Sequence, residues 1–197
     1  MAEPVAGGFF GARVSLYPMT ERYADVILPA IERFKDRGLE IESDDVSTFL
    51  GGDRDAVFAS IAGCFATAAR TGEHVVMTVV LSHGCPGEEV CLVPNAPPTP
   101  PGAAPAALPP LGIEVSCQWS LYPLGSEAYM ARIEEAIARG KTDGVHSRGR
   151  HFVSHLVGDL GAVLTTIRRS FDATCEQVGH VTAHLTLSAN SPTRRTS

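Results

Sequence analysis

No stretch of this chain stays apolar over the roughly 18 residues a membrane-spanning helix requires. Its opening, MAEPVAGGFF, offers neither the basic region nor the apolar stretch of a signal peptide. These two absences give the expectation of a cytoplasmic protein with no membrane insertion. A basic surplus is missing as well: 16 Lys and Arg stand against 22 Asp and Glu, a net charge of −6. Non-specific nucleic-acid binding draws on the opposite balance. The 5 cysteines, at positions 64, 85, 91, 117 and 175, are odd in number and scattered, which fits reduced thiols better than a disulfide framework. Walker A, G-x-S-x-G and G-x-G-x-x-G patterns are all absent, so nothing in the motifs argues for an enzyme.

What the chain does have is a repeat. SLYP occurs at Ser15 to Pro18 and again at Ser120 to Pro123, 105 positions later. DDVSTFLGGD, from Asp44, answers RHFVSHLVGD, from Arg150, at an offset of 106, and HVVMTVVLS, from His74, answers HVTAHLTLS, from His180, at 106 again. Three matched blocks in one order indicate a duplicated unit, and two copies are too few for a solenoid. The expected organisation is a first unit over 11–90, a linker over 91–112 and a second unit over 113–192. Units this small hold modest cores, so they should pack together or dimerise. Eight prolines fall between 94 and 110, the composition of an extended, semi-rigid spacer. The tail SPTRRTS reads as disordered. Residues 11–85 carry 11 acids and 7 bases against 8 and 7 in residues 113–191, so the first half is the better suited to a cationic ligand.

Each unit reads as β-α-β-β-α-β. ARVSLYP alternates like a half-buried strand. Apolar residues at 23, 26, 27, 30, 31 and 34 have the spacing of an amphipathic helix that runs to Gly38, with Pro29 as a conflict. LEIES and VSTFLGG form a hairpin around Ser43-Asp44-Asp45, Asp53 caps a second helix, and the β-branched HVVMTVVLS makes the fourth strand. In the second copy a strand covers 117–122 and a helix 126–139, a hairpin pairs 145–147 with 151–157, Asp159 caps a helix, and 180–188 closes the unit. The fold class is therefore α+β, two tandem ferredoxin-like units packed together.

Both helices of such a unit cover one face of its sheet, so the other must meet a partner or a ligand. That face should carry Ser15, Tyr17, Thr78 and Ser82 in one copy and Gln118, Ser120, Tyr122, Thr182, His184, Thr186 and Ser188 in the other. Hydroxyls and ring edges of this kind could orient a small polar ring, or simply line a wet contact. Asp44 and Asp45 sit at a turn, where Asp is common because its side chain caps the backbone; the functional alternative is that one of them faces the sheet groove and accepts from a ligand amine or offsets a ligand's positive charge. Asp45 aligns with His151. His151 and His155, read as strand residues, would lie about 13 Å apart at about 3.3 Å per residue, too far to share a zinc ion. RGRHFVSH, from Arg148, partly matches the third-strand block of an RNA recognition motif, but Arg150 and His155 replace its stacking aromatics.

The blocks SLYP with DDVST, AARTGEHVVM, HGCPG, VSCQWSLYP and GHVTAHLTLSANSP together resemble the YkoF family. Its members are thiamin- and hydroxymethylpyrimidine-binding proteins with tandem ferredoxin-like, ACT-like repeats. The resemblance implies a non-enzymatic cytoplasmic homodimer that binds thiamin chiefly through its aminopyrimidine half, one ligand per repeat. It also implies a role beside membrane transporter components for the thiamin precursor, with no cofactor beyond the ligand; no metal site is expected either, since His83 and Cys85, near Cys91, lack metal-ligand spacing. By matched motif the binding residues are Ser15, Tyr17, Asp45, Ser47 and Thr48 in the first copy and Ser120, Tyr122, His151 and Ser154 in the second. An ACT-like regulatory module sensing another small metabolite, or an enzyme on the same scaffold, are the alternatives.

Overall fold

The computed structural model describes residues 9–35, 37–85 and 105–193. Residues 1–8, most of the proline-rich stretch together with Cys91, and the last four residues of the tail lie outside the described residues. The first repeat consists of β1 (Phe10–Pro18), α1 (Tyr23–Ile31) with a single 3₁₀ turn (Glu32–Phe34), β2 (Glu40–Ser43), β3 (Thr48–Gly51), α2 (Arg54–Ala69) and β4 (Val75–His83). The second consists of β5 (Glu114–Leu124), α3 (Tyr129–Thr142), β6 (His146–Arg150), β7 (Val153–Asp159), α4 (Leu160–Cys175) and β8 (His180–Ala189). Both are βαββαβ units, as the alternation and helical spacing require.

The two units merge into one antiparallel sheet of eight strands, ordered β2-β3-β1-β4-β8-β5-β7-β6. The seam is β4 against β8, paired from Val75↔Ala189 to His83↔Val181. In the middle of that ladder Val79 pairs with Leu185. Their separation, 185 − 79, is the 106-residue repeat offset, so this pair is its own repeat equivalent and a pseudo-twofold axis passes through it.

Strand alternation decides which face is covered. Val75, Met77, Val79 and Leu81 of β4 and Val181, Ala183, Leu185 and Leu187 of β8 are fully buried under the helices. Phe10, Phe65 and Phe171 join them in one continuous core, each fully buried large side chain contributing about 1.5–3 kcal/mol. The opposite face carries Ser15, Tyr17, Gln118, Tyr122 and His184, half-buried or exposed, as the period-two reading expects.

A buried ionic cluster breaks the pseudo-symmetry where α2 meets α4. Arg54 pairs with Asp172 at 2.6 Å, Arg168 pairs with the same Asp172 and, at 3.0 Å, with Asp55. Arg168 is only 4% exposed, and its guanidinium lies 5.2 Å from the Phe58 ring centroid. Leu160, Ala62 and Ala66 occupy the repeat-equivalent positions of Arg54, Arg168 and Asp172. The cluster thus exists once, across the interface between the repeats.

Several local expectations need correction. The first helix ends at Ile31 and tightens into a 3₁₀ turn instead of running to Gly38, with Pro29 inside it. Proline cannot donate back to the preceding turn, which favours an early end. The helix expected over 126–139 begins at Tyr129 and passes through Gly140 to Thr142. Gly140 is buried, and a Cβ there would lie 3.2 Å from that of His146, so the missing side chain allows close packing. In the second hairpin His151 is a turn residue, not a strand residue, because the tip falls at His151–Phe152 with Phe152 at φ 68.

The described end of the linker, 105–112, has no regular structure but is docked to the second unit. Leu108 packs on the core and its N–H donates to Thr165 Oγ1 at 3.0 Å. The N–H groups of Leu111, Gly112 and Ile113 converge on the Asp159 carboxylate at 2.7–3.3 Å. Asp159 also accepts from the N–H of Gly161 at 2.8 Å, capping α4 as expected. Its counterpart Asp53 caps α2 through the N–H of Ala56 at 2.9 Å.

Candidate functional site

The site follows from a mismatch in strand length. β5 runs beside β8 to Leu124, whereas its pairing with β7 stops at Trp119. Past that point one edge of β5 has no strand partner. The chain of the β6–β7 hairpin turns away there, and α3 passes above. The result is a notch at the sheet's edge, floored by residues 119–124, roofed by α3 and lipped by the hairpin tip. The first repeat has the same mismatch in strand length: β1 pairs with β4 to Pro18 but with β3 only over Gly11–Val14.

In the second repeat the notch is a cavity of about 700 Å³. Trp119, Leu121 and Pro123 form its floor, Tyr129, Ile133, Ala136 and Ile137 its roof, and Gly149 to Ser154 its lip. The roof residues are the apolar stripe of α3, whose spacing sets them on one side of the helix. Such a space, mostly apolar with a few polar groups, is the common form of a small-molecule site. A serine holds the lip in place: Ser120 Oγ donates to the carbonyl of Phe152 at 3.2 Å. In the first repeat Ser15 Oγ donates to the carbonyl of Val46, the equivalent residue, at 2.9 Å. The serine of each SLYP block therefore ties strand to hairpin tip.

Trp119 is 3% exposed, and its indole N–H has no hydrogen-bond partner among the described residues. A buried donor left unmatched costs about 1–3 kcal/mol. An acceptor on a bound ring would remove that cost. At the lip, the side chain of Phe152 is fully exposed, and its left-handed backbone conformation is uncommon for a bulky residue. Its ring lies 6.5 Å from that of His151.

The expected site residues divide by repeat. Ser120, Tyr122, His151 and Ser154 all line the cavity. In the first repeat Ser15 and Tyr17 lie on the matching edge of β1, and Asp45, Ser47 and Thr48 lie in the matching hairpin, but several of these groups are already engaged. The Asp44 carboxylate accepts from the N–H groups of Val46 and Ser47 at 2.8 and 2.7 Å and from Arg13 at 2.9 Å. Ser47 Oγ accepts from Arg13, and the hydroxyls of Thr48 and Ser43 are 2.9 Å apart. Asp44 is thus the turn-capping aspartate. Asp45 is exposed and makes no hydrogen bond or ion pair among the described residues.

Sequence reasoning missed Trp119, the α3 stripe, Arg150 and Phe152. The spacing of Tyr129, Ile133, Ala136 and Ile137 was legible but is equally that of a core face, and a strand tryptophan reads as core. A second depression, of about 420 Å³, lies on the open sheet face of the first repeat among Phe9, Arg13, Glu40, Glu42 and Phe49. There Phe9 stacks on Phe49 at 5.9 Å, and the Arg13 guanidinium sits 5.8 Å from the Phe49 centroid.

The electrostatics differ between the hairpins. In the first, the backbone N–H groups of Ser47 and Val46 hold the Asp44 carboxyl below its usual range, with Arg13 assisting. In the second, partial burial lowers the pKa of His155, and the neighbouring positive charges of Arg148, Arg150 and His146 push it further the same way. Elsewhere, burial pushes the thiols of Cys64, Cys117 and Cys175 up to about 12, which makes them poor nucleophiles. The four described cysteines are free. Among the described residues no three His, Cys, Asp or Glu side chains converge as metal ligands, and no helix is long and apolar enough to cross a membrane.

Comparison with known proteins adds two findings. The sequence pattern of the YKOF-related family matches residues 9–88 and 114–194, one match for each repeat. A protein of Bacillus subtilis (strain 168) named "Putative HMP/thiamine-binding protein YkoF" is 34% identical over 188 residues, covering 94% of this chain and 92% of its own length.

Proposed function

The chain belongs to the YKOF-related family, and from that premise we propose that it binds thiamin through the hydroxymethylpyrimidine half, one ligand in the notch of each repeat. The observation that carries the proposal is the largely apolar cavity of about 700 Å³, which has Trp119, with its unpartnered indole N–H, among its lining residues. An aminopyrimidine is flat and apolar on its faces, and its edge offers ring-nitrogen acceptors beside an amine donor. The isoleucines of α3 and the rings of Tyr122 and Tyr129 suit the faces. The indole N–H suits a ring nitrogen, and the Ser154 hydroxyl suits the amine.

In the first repeat the same roles fall to Leu16, Tyr17, Tyr23 and Ile27, the repeat equivalents of Leu121, Tyr122, Tyr129 and Ile133. Val14 stands where the second repeat has Trp119, so no indole is present. Asp45 sits at the lip, where its negative charge favours the cationic thiazolium of whole thiamin. The proposal includes binding without chemical turnover, a cytoplasmic homodimer, and a part in uptake or salvage of the thiamin precursor beside transporter components. The family resemblance is the support for these last features.

Calorimetric titration with thiamin, with hydroxymethylpyrimidine and with the thiazole alone tests the reading. Saturation near two ligands per chain, with the pyrimidine retaining most of the affinity, is the expected result. A folded protein that takes up none of the three refutes it, and preference for an unrelated metabolite would favour a regulatory module instead.

A further inference from the structure

The two hairpins differ in charge at four equivalent positions, all acidic in the first, two arginine and two histidine in the second. Glu40, Glu42, Asp44 and Asp45 of the first correspond, at the constant offset of 106, to His146, Arg148, Arg150 and His151 of the second. The change is not a swapped ion pair. Asp44 is neutralised by Arg13 at 2.9 Å, but the residue that replaces Arg13 is the uncharged Gln118. Neither Arg148 nor Arg150 has a carboxylate partner among the described residues, and both are exposed. The second lip therefore holds uncompensated positive charge.

That charge adjoins the cavity. Arg150 and His151 both line it, and no Asp or Glu does. An arginine guanidinium presents planar donors that match phosphate oxygens two at a time. A cavity of about 700 Å³ with an apolar interior and a cationic rim has the form expected for an aromatic ring bearing an anionic group. A cationic ligand would be repelled at this rim and attracted at the acidic rim of the first repeat.

We propose that the second-repeat notch is selective for a phosphate monoester of the aminopyrimidine, its ring lying under α3 and its phosphate on Arg150 and His151, whereas the first-repeat notch takes the unphosphorylated or cationic ligand. The inference rests on the aminopyrimidine reading and adds a ligand class to one of its two sites. The chain would then carry two specificities, one for each charge state of the same ring.

The test uses the full chain and its single tryptophan, which reports on the second notch alone. Trp119 fluorescence is followed during titration with hydroxymethylpyrimidine, with its phosphate monoester and with inorganic phosphate, at low and high salt. The monoester should bind at least about tenfold more tightly than the alcohol, the gain of a charge-assisted bidentate contact. Its advantage should shrink with salt and vanish in an Arg150→Asp, His151→Asp variant. Those substitutions restore acids the first repeat already tolerates at the same positions, and Arg150→Gln with His151→Asn supplies a milder version. If the alcohol binds and perturbs Trp119 but the monoester binds no better, or keeps its advantage in both variants, the inference fails while the aminopyrimidine reading stands. If neither compound perturbs Trp119 and calorimetry of the same mixtures shows no uptake by the folded chain, the reading fails and the inference goes with it.

Discussion

Between the two repeats the backbone is conserved and the chemistry is not. In both the first strand outruns its hairpin partner, and both tie the hairpin tip to that strand with a serine-to-carbonyl hydrogen bond. The first repeat floors its notch with Val14 and sets acids on the lip, while the second has Trp119 and a basic lip. Duplication thus supplied two copies of a strand-length mismatch, and substitution at a handful of facing positions gave each a different lining. The same division runs through the core, where the ionic cluster of Arg54, Arg168, Asp55 and Asp172 replaces a symmetric contact between α2 and α4.

That asymmetry gives the largest expected effect. Asp172→Ala leaves Arg54 and Arg168 without their shared carboxylate and should cost about 3–5 kcal/mol in chemical denaturation. The repeat-equivalent residue, Ala66, is already alanine and shows that the fold itself does not demand an acid there. A loss below about 1 kcal/mol would mean that water reaches these arginines easily.

Placing a carboxylate in one roof at a time separates the sites. Ile133→Glu should weaken the second site by at least about 100-fold, because a charge would face apolar walls, and lower the calorimetric stoichiometry from two to one. Ile27→Glu should do the same to the first. Both positions are half-buried, which makes the substitutions tolerable. If either variant removed both ligands, the notches would not be independent.

His83 offers a contrast in pH response, since Ala189 is its equivalent. Burial first, and then the Arg54 guanidinium 2.9 Å from its Nδ1, lower its pKa from 6.5 to about 4. The unfolded chain therefore binds a proton that the folded chain refuses, and stability present above pH 6.5 is lost as pH falls toward 4. The loss is on the order of 2 kcal/mol after allowing for solvent screening. Melts of His83→Gln over this range should show a flatter profile than the wild type, and an unchanged slope would place the titration elsewhere.

The smallest effect sharpens the comparison most. Trp119→Phe keeps a ring on the cavity floor and deletes the N–H, so second-site affinity should fall by about tenfold, one hydrogen bond, with the first site unaffected. Equal affinity in the variant would remove the indole from recognition.

Much of the architecture was legible before the structure. The offsets of 105 and 106 revealed the duplication, and their one-residue drift falls in the loop between β5 and α3, where 5 residues join Pro123 to Tyr129 and 4 join Pro18 to Tyr23. Period-two patterns placed the strands and their faces, and Asp53 and Asp159 marked helix starts. The site was less legible, because it depends on where strand pairing stops. Nothing in the order of residues says that β7 leaves β5 at Trp119, so the sequence pointed to the open sheet face and not to the cavity at its edge. His151 read as a strand residue because the local pattern does not encode a left-handed Phe152. The charge inversion was present in the sequence, but it acquires meaning only when the hairpins are superposed through the sheet register.

The most direct test of ligand binding in the notch is the Trp119 indole resonance in a proton–nitrogen correlation spectrum, recorded during titration with hydroxymethylpyrimidine. The chain's single tryptophan makes the assignment unambiguous. A saturable downfield shift of the indole proton, absent in Ile133→Glu, is the result expected when a ring nitrogen accepts from it. Heat of binding at two sites with the indole resonance unmoved would contradict the account and place the ligand elsewhere on the molecule.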